Sequence, residues 1–81
     1  MKSFDLIITT QEKTLYHGRA SSLIAPSSLG YLGVWADHAP LIATLTDGRI
    51  ILKEDPNGQK VFESKNGGVL EIMNNNVTVL L

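Results

Sequence analysis

The chain has 81 residues, no cysteine and a formal net charge of −1. That length fits one domain and not two, and the missing cysteine excludes disulfides, thiolate metal sites and a cysteine nucleophile. The near-neutral charge gives no general attraction to phosphate backbones or anionic lipid, which makes nucleic acid a poor candidate partner.

Met1-Lys2-Ser3-Phe4-Asp5 does not read as a signal peptide, because Asp5 interrupts any apolar stretch. Phe4, Leu6 and Ile8 alternate with Asp5, Ile7 and Thr9, so the first strand has one strongly apolar face. Gln11-Glu12-Lys13 reads as a polar turn. Thr14 to Arg19 resumes as a strand, with Gly18 marking a bulge or a close backbone approach. Ser22 to Ala25 is a short apolar strand that Pro26 is expected to stop, and Ser27-Ser28 opens a loop. Leu29 to Trp35 is extended and broken by Gly30 and Gly33. Ala36 to Pro40 is a turn, Pro40 forcing Ala39 out of helical geometry.

Leu41 to Leu45 is another strand, and Thr46-Asp47-Gly48 turns the chain into Arg49 to Lys53. Asp55-Pro56-Asn57-Gly58 is a strong hairpin signal, from which Lys60 to Ser64 pairs back. Gly67-Gly68 breaks the chain before Val69 to Met73, and Asn74-Asn75-Asn76 turns into the closing strand Val77 to Leu81. The double glycine is expected to be structural, by backbone geometry or by close packing. Nine or ten short strands with turn signals every ~8–12 residues predict an all-β sandwich or barrel filling residues 1–81. No segment has a helical period, and no apolar run approaches the ~20 residues that span a bilayer.

Candidate chemistry is sparse. A metal site needs three or four ligands, and His38 beside Asp37 has neither these nor a second histidine at useful spacing; His17 lies on another strand. His38 is therefore a turn or contact residue. Ser21, Ser22, Ser27 and Ser28 sit in no nucleophile elbow. Gly30-Tyr31-Leu32-Gly33 has no following Lys-Ser/Thr and no helix to hold an anion. A biotinyl- or lipoyl-type carrier would place a lysine at a hairpin tip, whereas Lys53 and Lys60 stand back on the strands flanking Asp55-Gly58. Tyr31 and Trp35 read equally as core plugs or interface anchors. The alternatives are a carrier, a small hydrolase acting through His38, and a generic binding module.

The segment Gly30-Tyr31-Leu32-Gly33-Val34-Trp35-Ala36-Asp37-His38-Ala39-Pro40-Leu41 resembles the signature of the F-type ATP synthase ε subunit, of the form G-x-L-G-[IV]-x-x-x-H-A-P-L. Glu12 to Gly18 looks like that family's second strand, and Gly67-Gly68-Val69-Leu70-Glu71-Ile72 like its G-G-[FIV]-x-E-V. The set covers nearly the whole chain in order. It corresponds to the family's N-terminal β-sandwich, which the resemblance implies is flattened and about ten-stranded, without the C-terminal helical hairpin into which members commonly continue.

The resemblance implies a non-catalytic rotor component of the central stalk, bound to γ and resting on the ring of c subunits. Proton flow turns the ring, and catalysis lies in α and β. It implies a γ-facing surface at Thr10, His38, Ala39, Pro40, Leu41 and Ala43, and a ring-facing loop of Ser28, Leu29, Gly30 and Tyr31. Gly33, Gly67 and Gly68 would be structural. No cofactor and no ATP are expected on this chain. It would lie peripherally on the cytoplasmic face of the energy-coupling membrane, or the equivalent organelle side, held there only through the complex. Two departures stand out: Ala36 replaces a frequent proline, and Tyr31 a frequent acidic residue.

Overall fold

Period two governs the first strand, β1 (Phe4–Thr9), whose Phe4, Leu6 and Ile8 are fully buried. A computed structural model describes residues 2–81. Along the chain follow β2 (Thr14–Ser27), β3 (Gly30–Val34), β4 (Leu41–Leu45), β5 (Gly48–Glu54), β6 (Gln59–Ser64), β7 (Gly68–Met73) and β8 (Asn76–Leu80). Among the described residues there is no helix.

The strands are hydrogen-bonded in the order β1-β8-β7-β4-β2-β5-β6, with β3 beside β2 and an additional pairing of β1 with β2. That last pairing closes β1, β8, β7, β4 and β2 into a ring. Closure depends on β2, which serves four partners along its length. Its first half runs antiparallel to β1, Ala20–Ile24 pairs with β5, Leu23–Ser27 pairs with β3, and Ser27 reaches Leu45 of β4. A register shift between Ala20 and Ser22 lets one strand turn this corner. β1 and β8 are parallel, Leu6 against Val77 and Ile8 against Val79, so the two ends of the described chain share one ladder.

The inward residues form one apolar cluster drawn from both walls: Leu23 and Ala25 of β2, Ile50 and Leu52 of β5, Leu70 and Ile72 of β7, and Val77 and Val79 of β8, with the β1 trio. The all-β sandwich or barrel expected from the sequence is what forms. The strand count is eight because Thr14–Arg19 and Ser22–Ala25 are one 14-residue strand. Pro26 does not stop that strand. It falls where β2 passes from β5, whose pairing ends at Ile24, to β4, whose pairing begins at Ser27. No ladder donor is needed there, and the Pro26 carbonyl still accepts from the Thr46 amide at 3.0 Å. Gly18 carries no bulge. It is a close approach, where a Cβ would stand 2.9 Å from the Tyr16 hydroxyl oxygen.

The turns use the residues the sequence offers. Asn74 and Asn75 take φ of 50° and 60° between Met73 and Asn76, the left-handed pair that a tight hairpin demands and that asparagine tolerates. Gly67 has φ of 85°. At Gly68 the reason for glycine is space: a Cβ would sit 2.5 Å from the Leu80 carbonyl oxygen.

Candidate partner-binding surface

Residues 35–40 join β3 to β4 and are held from two sides. Asp37 stands at φ of 63°, and its amide donates to Asn75 Oδ1 at 2.6 Å while Asn75 Nδ2 donates back to Asp37 Oδ1 at 2.9 Å. Lys2 Nζ donates to Asp37 Oδ2 at 2.7 Å. That bond, then the one from Asn75, holds the Asp37 carboxyl below its usual range, and the same contact raises Lys2. The clamp fixes the half-buried His38 and the exposed Ala39 and Pro40 against the β7–β8 turn. His38 Nδ1 lies 2.7 Å from the Ala39 carbonyl oxygen; a carbonyl only accepts, so this bond places the proton on Nδ1.

β4 continues from this loop with its alternation fixed by the buried Leu45. Leu41 and Ala43 point inward and are half-buried, whereas Ile42 and Thr44 point out. Registers extend that outward side across four strands, in the rows Ile42–Glu71–Thr78–Ile7 and Thr44–Val69–Leu80–Thr9. Ile42 is 71% exposed, and Val69, Met73 and Leu80 are exposed as well. Pro40, Ile42 and Met73 border a shallow depression of about 340 Å³ with Glu71 on its wall. Thr10 belongs to the other end of β1, about 17 Å along the strand from Asp5. There its hydroxyl accepts from the Glu12 and Lys13 amides at 3.2 Å each and holds the β1–β2 turn.

The β2–β3 hairpin carries the second predicted segment. Ser27 Oγ donates to the Gly30 carbonyl at 2.5 Å and accepts from the Leu29 amide at 3.3 Å, and the Ser28 amide donates to the Thr44 carbonyl at 3.0 Å. The tip is thus braced against β4. Between tip and β4 lies a cleft of about 390 Å³, bordered by Ser28 to Leu32 on one side and Leu41 to Thr44 on the other. Leu29 is 98% exposed and Tyr31 68%. Further along the same side of β3, Trp35 lays its ring over Gly33, where a Cβ would meet Trp35 Cζ3 at 2.5 Å. Gly33 is structural in this sense: it seats an exposed tryptophan.

The structure therefore gathers His38, Ala39, Pro40 and Leu41 at one end of the β4–β7–β8–β1 face and places Ser28 to Tyr31 across a cleft from β4. Thr10 stands at the far end of that face. The outward residues Ile42, Val69 and Met73 were missed by sequence reasoning. For Ile42 the signal was present, because alternation counted back from Leu45 points it outward. Among the described residues no group of three His, Cys, Asp or Glu is arranged to hold a metal ion, and no helix is long and apolar enough to cross a membrane.

The sequence model of the ATP synthase Delta/Epsilon chain β-sandwich domain matches residues 3–81. The ATP synthase epsilon chain of Xanthomonas euvesicatoria pv. vesicatoria is 36% identical over 74 residues, covering 91% of this chain and 52% of the relative. That of Halorhodospira halophila is 35% identical over 80 residues, covering 99% and 57%. The chain thus spans about half the length of the curated relatives it matches. Two solved structures share its fold at 16% identity. A chain of the Euglena gracilis mitochondrial ATP synthase, solved as OSCP/F1/c-ring, has a TM-score of 0.88 over 96% of this chain and 49% of its own length. A chain of the Tetrahymena thermophila mitochondrial ATP synthase central stalk and c-ring has a TM-score of 0.78 over 98% and 63%.

Proposed function

Because the chain belongs to the ATP synthase Delta/Epsilon β-sandwich family, we propose that it is the sandwich part of an ε-type central-stalk subunit that binds γ and rests on the ring of c subunits. The match over residues 3–81 carries this reading. In it the chain catalyses nothing and binds no ATP. Its task is to pass torque between the ring and γ, with chemistry left to α and β. It sits peripherally on the side of the membrane that bears the catalytic head.

The γ-facing surface of this reading is the loop His38-Ala39-Pro40 and the β4 face it leads into, with Thr10 at the far end; Leu41 and Ala43, which the family pattern adds, sit half-buried on the inner side of β4. Ile42 joins it as the most exposed apolar residue of β4. The ring-facing loop is Ser28, Leu29, Gly30 and Tyr31. Two features of the molecule support a load-bearing role. A ring of strands closed by the β1–β2 pairing resists shear, and a close-packed interior transmits strain with little compression. The Asp37–Asn75 clamp pre-organises the His38 loop, which lowers the ordering cost of docking.

The test is capture by an immobilised γ subunit of the same enzyme. The wild-type chain is expected to be retained, Ile42→Asp to be lost, and His38→Ala to bind more weakly or unchanged. Failure of the wild-type chain to bind γ, or ATP turnover by the purified chain that His38→Ala abolishes, overturns the proposal.

A further inference from the structure

Five asparagines stand in the sequence, and two of them, Asn57 and Asn66, precede a glycine. Such a pair can cyclise, because glycine has no side chain to keep its nitrogen away from the asparagine amide carbon. The fold treats the two pairs differently. Asn57-Gly58 lies in the turn between β5 and β6, within a run from Pro56 to Lys60 that is exposed at every residue. The Glu54 amide closes this turn by donating to the Gly58 carbonyl at 2.9 Å. That bond uses the oxygen of Gly58. Its amide and the Asn57 side chain have no hydrogen-bond partner among the described residues. Gly58 stands at φ of 122°, where L side chains are rare, so the turn itself keeps glycine next to Asn57.

Asn66-Gly67 is held instead. The Asn66 amide donates to Asp47 Oδ1 at 2.9 Å, and Asn66 takes φ of 64°. In that left-handed region ψ is about +30 to +60°. Ring closure needs the next nitrogen alongside Cβ, and this ψ turns it to the opposite side of the Cα–C bond. The other three asparagines precede bulkier residues. Asn74 and Asn75 also have positive φ, and both ends of the Asn75 side-chain amide are bonded to Asp37. Asn76 is paired with Asp5 and Met73 inside the sheet.

We propose that Asn57-Gly58 is a self-modification site, at which the folded chain converts its own asparagine to aspartate and isoaspartate. Solvent base removes the Gly58 amide proton, and the nitrogen attacks Asn57 Cγ. The new C–N bond forms as the Cγ–Nδ2 bond breaks, and the departing group takes a proton from solvent and leaves as ammonia. Water then opens the five-membered imide at either carbonyl. The net change is one water consumed and one ammonia released, with nothing oxidised or reduced. Either product places a new negative charge beside Asp55 and close to Glu54, and isoaspartate also lengthens the main chain in a turn that must still close. β6 is the free edge of the sheet and lies outside the closed ring of strands. The reaction needs no partner subunit, so it stands or falls separately from γ binding.

The whole chain is incubated at neutral and at mildly alkaline pH in heavy-oxygen water, then digested for peptide mass spectrometry, with isoaspartate read by an isoaspartyl methyltransferase. Position 57 is expected to convert first, faster at the higher pH, to a mixture of both isomers that carries heavy oxygen. Asn66 should convert about tenfold or more slowly, the factor that about 1.4 kcal/mol of opening cost imposes. In urea, with both turns unfolded, the two pairs should react at similar rates. Asn57→Gln would need a six-membered ring, so it should remove the fast phase; the side chain is exposed and unpartnered, so the variant should melt as wild type does. Equal rates at the two pairs in the folded chain overturn the proposal, as does conversion at 57 without isoaspartate. A folded chain that stays intact at 57 while the urea-unfolded chain reacts also overturns it.

Discussion

Replacing Gly68 by alanine adds one methyl group where β7 meets β8. That carbon would stand 2.5 Å from the Leu80 carbonyl oxygen and 3.3 Å from Leu81 Cδ2. A carbon–oxygen contact in a sheet settles at about 3.3–3.6 Å, so the strands must part by roughly 0.8 Å at this rung. The oxygen cannot swing away, because it belongs to the backbone of the strand that pairs with β7 on one side and β1 on the other. Overpacking of this kind costs about 1–3 kcal/mol. At about 4–8 °C per kcal/mol for a domain of this size, the melting temperature should fall by roughly 5–20 °C. Gly67→Ala separates strain from crowding. Its φ is 85°, but its nearest new contact, the Leu45 carbonyl oxygen, is an ordinary 3.5 Å away. That variant should lose only the conformational cost of about 1 kcal/mol. Thermal melts of both variants by circular dichroism decide the matter. A Gly68→Ala variant melting within a degree of wild type would refute the steric argument, and equal losses in both would refute the distinction.

Ser64 is 1% exposed, and its hydroxyl has no hydrogen-bond partner among the described residues. Ser64→Ala should therefore stabilise the fold by about 1 kcal/mol, read as a higher denaturation midpoint in urea; a loss of stability would show a hidden partner. The Asp37 clamp predicts a pH dependence. A carboxyl whose folded pKa is lowered contributes stability above its unfolded value, near 3.9, and loses it as pH falls through the folded value. Asp37→Asn keeps a residue that tolerates φ of 63° but removes the charge. Wild type should thus melt slightly above the variant at pH 6, and the gap should close as pH falls through the lowered folded pKa of Asp37 and shrink in high salt. A gap independent of pH would mean that the carboxylate contributes nothing as a charge.

Much of the fold was legible because period two survives in short, turn-bounded segments. The Asn74-Asn75 and Gly67-Gly68 signals each fell where the backbone turns or crowds. The misread element was β2. A proline beside two serines looks like a stop when each strand is assumed to have one partner on each side. It is admissible here because β2 changes partners at that point. The parallel pairing of β1 with β8 had no local signal, since it joins residues about seventy positions apart, and only packing of both apolar faces on one core selects it. In the site, the motif located the His38 loop, but the clamp that holds it links Asp37 to Asn75 on a different hairpin. No spacing rule reaches that far. Ala43 was named from the family pattern, whereas alternation from Leu45 turns it inward and presents Ile42.

The distribution of contacts bears on how such a domain could carry load. A force applied at the hairpin tip has no long lever to bend. The Ser28 amide bonds the Thr44 carbonyl, the Thr46 amide bonds the Pro26 carbonyl, and Ser27 pairs with Leu45. These three links deliver the force directly to β4, which displays Ile42 on its outer side. From β4 the ladder runs through β7 and β8 to β1 and back to β2, so every strand of the ring shares the load and no free edge interrupts the path. The remaining strands lie outside this circuit: β3 pairs only with β2, and β5 leads to the free edge of β6. A domain organised in this way keeps its stiffness between two surfaces and leaves its compliance on the third side. On the proposed reading, those two surfaces are the ones that meet the ring and γ.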